Sequence, residues 1–206
     1  MDIMKIINQA KDLVLNPVGT LNKLKDEKVE LNDIIIYLAI VGFPTFLGLL
    51  LGYGFVWSGA GNLIGYGFAI AIITYIMTII GVIVFGFILN AIAPNFKTTQ
   101  NKMQALKLVS YAATPWLLLG IAYIFPAAGL ISLLGGLYGL YILYIGIPIL
   151  MGTSKDQQLG FFVIGLIIYV VIMGVISWLT SWIWWQLVWS SVWYPGYGYD
   201  YPFGWR

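Results

Sequence analysis

The sequence predicts an all-α integral membrane protein, a bundle of five transmembrane helices with short interfacial amphipathic helices on its cytoplasmic side. The 206-residue chain is 61% hydrophobic and only 9% charged, whereas a soluble domain carries about 25% charged residues. Between residues 34 and 154 the only Lys, Arg, Asp or Glu side chains are Lys97, Lys102 and Lys107. The apolar runs on both sides of these lysines are long enough to cross a bilayer.

The N-terminal region, residues 1–33, is predicted to lie at the cytoplasmic membrane surface. Apolar residues between Ile3 and Val14 recur at helical spacing, with polar residues mostly on the other side, which predicts an amphipathic helix too polar to span. Pro17 should end this helix, because the residue before a proline disfavours helical backbone. The charged stretch 19–33 is expected to form a second short polar helix or a loop.

The membrane domain, residues 34–182, is predicted to contain five spans. They run over about 34–56, 63–91, 110–125, 130–151 and 160–182. Pro44 should kink the first span. The second span, roughly 43 Å long, should tilt or protrude beyond a hydrocarbon core of about 30 Å. An uncharged turn at 57–62, a polar-apolar helix at 98–108 and a tight hairpin at 126–129 are expected between spans.

An aromatic-rich tail, residues 183–206, is predicted to lie outside the cell. Tryptophans spaced by three or four would share one side of a helix and act as an interfacial anchor, or else contact an external partner or cell-wall polymer. These are Trp178, Trp182, Trp185, Trp189 and Trp193. The sequence leaves open whether this stretch completes the fifth span or lies flat on the membrane surface.

Lysine placement predicts a multi-pass protein of the cell membrane with a cytoplasmic N-terminus and an external C-terminus. With the N-terminus inside, all nine lysines fall on the cytoplasmic side and Arg206 alone falls outside. Cytoplasmic loops carry an excess of Lys and Arg, so this asymmetry favours the assignment. An odd number of spans agrees with it.

The composition argues against most chemistry and against nucleic acid as a partner. The chain has no histidine and no cysteine, and no predicted span contains an acidic residue. The usual general bases, metal ligands and proton relays of membrane enzymes and transporters are therefore missing. We expect no catalytic residue, cofactor or metal, and a net charge of +2 does not suggest nucleic-acid binding.

Eight residues are candidate contacts for lipids or partners. Three lysines spaced by five are expected to reach anionic head groups, or else to form a specific partner site. Three tyrosines spaced by three either pack inside the bundle or line a polar seam. Two prolines either kink helices or break them at an ion site. They are, in that order, Lys97, Lys102 and Lys107; Tyr138, Tyr141 and Tyr144; and Pro115 and Pro148.

Pairs of glycines four residues apart predict close helix crossings. They are Gly48 and Gly52, Gly61 and Gly65, and Gly135 and Gly139. Packing inside the bundle is the expected use of these pairs, with a dimer face as the alternative.

Three stretches together resemble the YIP (Ypt-interacting protein) family of small five-pass membrane proteins. They are NPVGTL at 16–21, QALKLVSYAATP at 104–115, and GLYGLYILYIGIPILM at 136–151 continuing to LGF at 159–161. Their order and spacing match the family from about residue 10 to 175, and the third stretch with its loop is the most specific.

The resemblance implies five spans, a cytoplasmic N-terminus and an external or lumenal C-terminus. Eukaryotic members are associated with Rab-type GTPases, vesicle transport and organelle membrane shape. This chain is more similar to the prokaryotic branch, because its N-terminal region is short and lacks the Asp-Leu-Tyr-Gly-Pro motif. Rab-type GTPase binding is therefore not inferred for this chain from its eukaryotic relatives.

The sequence as a whole favours a non-enzymatic membrane scaffold or adaptor, which serves protein partners or membrane organisation. Membrane lipids are the expected partners, and a second membrane protein or a second copy of the chain remains open. The alternative is a channel or facilitator for a small uncharged solute, with the glycine-rich, tyrosine-bearing bundle as its path.

Overall fold

The computed structural model describes residues 2–52, 64–125 and 128–193. These parts contain seven α-helices: α1 Ile3–Leu15, α2 Pro17–Leu24, α3 Leu31–Leu51, α4 Ile64–Ile92, α5 Lys102–Leu119, α6 Ala128–Met151 and α7 Lys155–Trp193. Short 3₁₀ helices, Ala93–Phe96 and Gly120–Ile124, follow α4 and α5. Five helices, α3 to α7, are long and apolar enough to cross a membrane. The predicted all-α, five-span fold is confirmed.

Side-chain caps set the boundaries at the N-terminal end of the chain. The backbone N–H of Met4 donates to Asp2 Oδ1 at 3.1 Å, and that of Gly19 donates to Asn16 Oδ1 at 3.1 Å. Such caps satisfy N–H groups that lack partners in the first helical turn. Asn16 and Pro17 thus end α1 and begin α2, two residues before the predicted start of the second polar segment.

The first span begins earlier than predicted, at residue 31 rather than 34. Asp33 falls in the first turn of α3, where its Oδ2 accepts a hydrogen bond from the backbone N–H of Glu30 at 3.0 Å. A carboxylate is favourable at a helix N-terminus, so this charge caps the span and does not exclude it. The predicted end of this span and the turn at 57–62 lie outside the described residues, as does part of the hairpin at 126–129.

The predicted polar helix at 98–108 and the predicted third span are one element, which corrects their separation. Helix α5 runs from residue 102 to residue 119 without interruption. Asn101 caps its start, with Oδ1 accepting from the N–H of Gln104 at 3.2 Å. The separation assumed that Lys107 had to lie outside the membrane helix, whereas this side chain is buried.

The boundary predicted between the fifth span and the tail at residue 182 falls inside α7. This helix continues to Trp193, because the tryptophan-rich stretch contains no proline or glycine that would end it. Its 39 residues extend over roughly 58 Å, about twice the hydrocarbon thickness. Residues 183–193 therefore prolong the fifth helix, and the tail beyond them lies outside the described part of the chain.

Helix α5 lies at the centre of the bundle and packs against α3, α4 and α6, while α7 packs against α4. Two glycines allow the closest approaches. A Cβ atom at Gly48 would overlap the carbonyl oxygen of Gly120, and one at Gly139 would overlap the carbonyl oxygen of Ala112. Both pairs that include these glycines were expected to pack inside the bundle, and at Gly48 and Gly139 they do. The pair at 61 and 65 lies outside the described side chains.

The ends of α3 to α7 that lie near α1 and α2 form what we call the lysine-rich end of the bundle, which carries Lys97, Lys102 and Lys155. Phe96 stacks on Phe161 there, with ring centroids 4.9 Å apart. The hydroxyls of Thr98 and Thr153 are 2.9 Å apart and hydrogen bonded. These contacts hold the α4–α5 and α6–α7 connections together.

Candidate functional site

The candidate site is the cap, residues 2–30, which covers the lysine-rich end with α1, α2 and the segment that follows them. Ile6, Ala10 and Leu13 form one side of α1 and are buried against the bundle. On α2, Thr20 and Leu21 are buried. Part of the apolar side of the predicted amphipathic helix therefore faces the protein. The sequence alone did not show whether that side would face protein or lipid.

Lys107 joins α5 to the cap. Its side chain is 1% exposed, and its Nζ donates hydrogen bonds to the carbonyl oxygens of Leu24 at 2.8 Å, Lys25 at 3.3 Å and Glu27. Carbonyls at a helix C-terminus lack partners within the helix, and a cation is favourable there. The expectation that Lys107 reaches lipid head groups is therefore wrong.

The other two candidate lysines, Lys97 and Lys102, are exposed at the lysine-rich end. Lys97 adopts a left-handed backbone conformation with φ of 55°. In that conformation its N–H donates to the carbonyl oxygen of Pro94 at 3.1 Å and ends the 3₁₀ turn. Both ammonium groups remain available for head groups or a partner, and they do not converge with Lys107 on one site.

The three candidate tyrosines have different environments. Tyr138 donates a hydrogen bond from its hydroxyl to the carbonyl oxygen of Val14, 2.7 Å away at the end of α1. Tyr141 is 47% exposed and Tyr144 37% exposed, and Tyr144 packs edge-on against Phe162. The tyrosines therefore do not line a shared interior path, and one of them holds the cap.

A third polar contact between cap and bundle involves Gln9. Its Nε2 donates to the hydroxyl oxygen of Tyr111 at 2.8 Å. The Tyr111 ring packs edge-on against Tyr37, with centroids 5.3 Å apart, and the Tyr37 hydroxyl is hydrogen bonded to Thr114 at 2.7 Å. The sequence placed Gln9 among the polar residues of the predicted helix and gave no signal for this contact, because its acceptor lies 102 residues away.

One side of α1 is apolar and exposed. Ile3, Met4, Ile7 and Leu15 lie on it, all at least half exposed. Lys11 is exposed in the same arc, since residues three and four apart are neighbours on a helix. We call this surface the outer edge of α1. It lies between the side buried on the bundle and a polar side that contains Asn8 and Asp12.

An ion pair on the polar side connects α1 with the end of the cap. Lys5 Nζ donates a hydrogen bond to Glu27 Oε1. This hydrogen bond and the negative charge of Glu27 raise the pKa of Lys5 above its ordinary value. Because the pair is exposed, it adds little to stability, and the partly buried hydrogen bonds of Lys107, Tyr138 and Gln9 hold the cap.

The candidate prolines lie inside uninterrupted helices. Pro115 is buried in α5, and Pro148 is half-buried in α6. Helix α5 continues beyond Pro115 to Leu119, and α6 continues beyond Pro148 to Met151. Neither helix is therefore broken at its proline, as an ion site of this kind requires.

The tryptophan stripe lies along the end of α7. Trp178, Trp182 and Trp185 are exposed, whereas the side chains of Trp189 and Trp193 lie outside the described residues. In the described part of the chain, no three His, Cys, Asp or Glu side chains come together as a metal site.

Comparisons with known proteins agree with this architecture. A family model described as the Yip1 domain matches residues 11–191. Similar curated proteins are the inner membrane protein YohC of Escherichia coli strain K12 and that of Escherichia coli O6:H1, each 31% identical over 98 residues. The match covers 46% of this chain and 50% of the relative, so the chain spans about half the length of the curated relatives it matches. No solved structure matches the chain.

Proposed function

Because this chain belongs to the Yip1 domain family of multi-pass membrane proteins, as its YIP-like motifs predicted, we propose that it is a non-enzymatic membrane scaffold or adaptor. In this proposal the cap is the surface that contacts lipids and partners. It lies on the cytoplasmic side of the cell membrane, and the C-terminus is external. One observation carries the proposal: α1 is held to the bundle on one side and presents an apolar outer edge on another.

The outer edge of α1 fits the boundary between head groups and acyl chains. Burial of an Ile, Leu or Met side chain contributes roughly 1.5–3 kcal/mol, so four such residues supply several kcal/mol of membrane attachment. Lys11 can extend its ammonium group from the same edge to anionic head groups. An amphipathic helix of this kind lies with its apolar face about 5–10 Å below the surface.

The fixed position of α1 distinguishes this arrangement from a loosely tethered helix. Lys107, Tyr138 and Gln9 connect the cap to α5 and α6 at three separate points. A rigid wedge at one depth perturbs lipid packing at a constant place relative to the bundle. The exposed polar side, with Asn8 and Asp12, faces water and is available to a soluble partner.

The facilitator alternative depends on a polar path through the bundle. Tyr141 and Tyr144 are exposed on the outside of α6. The cavity among α4 to α7 is lined mainly by apolar side chains and contains none of the three candidate tyrosines. These observations support the scaffold over the facilitator.

Cross-linking in native membranes tests the proposal. Lysine-reactive reagents would be applied to the wild type, to an Ile3→Ser/Ile7→Ser variant and to an Asn8→Ser control, followed by purification and mass spectrometry. We expect a reproducible set of neighbours linked to Lys5, Lys11 or Lys23, which is reduced in the double variant and kept in the control. Selective flux of a small uncharged solute through proteoliposomes, with no neighbours at the cap, would favour the facilitator.

A further inference from the structure

A narrow apolar crevice lies among α4, α5, α6 and α7. Its volume is about 40 Å³, and its walls include Phe85, Trp116, Gly136, Tyr169 and Met173. A water molecule needs roughly 10–15 Å³ of such space, so the crevice has room for only a few heavy atoms, as at the end of a thin chain.

The crevice lies at the depth of the acyl chains. Val109 is about 10 Å from the first residue of α5, and Met173 is about 27 Å from the first residue of α7, at the usual helical rise. Both distances start at the lysine-rich end and fall inside a hydrocarbon core of about 30 Å. Lipid hydrocarbon, rather than water or a head group, surrounds the bundle at this depth.

Of the neighbouring helix pairs around the crevice, α6 and α7 pack least extensively, which places its opening between them. These helices touch close to their connection, where Gln158 Nε2 donates to the carbonyl oxygen of Tyr144 at 2.9 Å and Tyr144 packs against Phe162. Farther from the connection they separate: a Cβ atom added at Gly136 would have no neighbouring atom within 4 Å, and Leu137 beside it is exposed. The mouth is therefore continuous with the lipid-facing surface.

We propose that this crevice is a binding site for one acyl chain of a membrane phospholipid, which inserts its distal methylenes between α6 and α7. The apolar walls and the depth favour hydrocarbon, and the small volume leaves room for the end of a single chain. Wall atoms without neighbours lose dispersion contacts, and an inserted chain restores them. The assignment is independent of the scaffold function, because it does not involve the cap.

A filling substitution with a matched control tests the site. Gly136 and Gly174 both lack a neighbour within 4 Å of an added Cβ atom, but only Gly136 lines the crevice. Gly136→Leu should fill the crevice, whereas Gly174→Leu should only alter the surface of α7. Ala113→Leu, on the α5 wall, is a second filling variant in case the first does not fold.

The probe is phosphatidylcholine with a photoactivatable diazirine near the end of one acyl chain, mixed into vesicles that hold the purified protein. Mass spectrometry then measures labelling of the peptide that contains Ala113 and Trp116 relative to labelling of exposed α7 residues. We expect this ratio to fall at least threefold in a folded filling variant and to stay unchanged in Gly174→Leu. An equal ratio in all the proteins, or no label on α5 in the wild type, would overturn the assignment.

Discussion

The ammonium group of Lys107, a buried residue in the second turn of α5, donates a hydrogen bond to the carbonyl oxygen of Leu24, 2.8 Å away at the end of α2. The two residues are 83 positions apart in the chain. This bond and those to Lys25 and Glu27 place a positive charge at the C-terminal end of α2, where a cation is favourable. The charge that looked like a membrane-surface lysine therefore fixes the cap on the bundle.

Replacing Lys107 by Met should loosen the cap. The substitution keeps an apolar stem but removes the three hydrogen bonds that the Lys107 ammonium group donates to the cap, which we expect to cost about 2–3 kcal/mol. Hydrogen exchange of residues 17–27 should accelerate by one to two orders of magnitude. Lys102→Met is the control, because Lys102 is exposed in the same helix and should leave the exchange unchanged. Equal protection of the cap in both variants would contradict the role of Lys107.

Tyr138→Phe removes the hydroxyl that holds the end of α1. The lost hydrogen bond to Val14 should destabilise this end of the cap by about 1 kcal/mol, and hydrogen exchange of residues 10–16 should rise severalfold. Tyr141→Phe removes an exposed hydroxyl from the same helix and should have no such effect. If both variants behave alike, Tyr138 has no special role in holding α1.

Gly139→Ala should destabilise the bundle, although alanine favours a helix over glycine by about 1 kcal/mol. The added methyl would overlap the carbonyl oxygen of Ala112 and push α6 away from α5, at an expected cost of about 1–3 kcal/mol. Gly136→Ala, one helical turn away with open space around it, should be neutral or stabilising. Thermal unfolding in detergent measures both. A neutral Gly139→Ala would mean that the two helices do not cross closely.

The proposed orientation can be tested with single cysteines, because the chain has none. Asp12→Cys in α1 should be protected from a membrane-impermeant maleimide in intact cells and react after the cells are broken. Phe125→Cys, exposed at the opposite end of the bundle, should react in intact cells. The reverse pattern would invert the topology.

The membrane spans were predictable because each is an apolar run that the bilayer requires to be helical. The end of α1 was predictable from Asn16 and Pro17, which act locally. The burial of Lys107 was not predictable, and so neither was the extent of α5, because the acceptors that make this burial possible are about 80 residues away. A sequence window shows the charge but not the carbonyls that surround it.

The candidate site was predictable only in outline. Periodicity identified α1 as amphipathic, but one apolar arc served two surfaces, the buried side with Ile6 and the exposed outer edge with Ile7. Only the packing of α1 on α3 and α5 separates them. The change in composition near residue 182 suggested that the fifth span ended there. Aromatic residues can mark the end of a span and still lie within a helix, and α7 continues to Trp193.

The most direct test of the scaffold account is the depth of the outer edge of α1. Ile7→Cys and its neighbour Asn8→Cys would each carry an environment-sensitive fluorophore in vesicles of phosphatidylethanolamine and phosphatidylglycerol. Quenching by lipids with nitroxides near the head group would be compared with quenching by aqueous iodide. We predict that the label at residue 7 is quenched mainly by the lipids and the label at residue 8 mainly by iodide. If iodide quenches both labels equally and the lipids quench neither, α1 does not insert its apolar edge and the central claim is wrong.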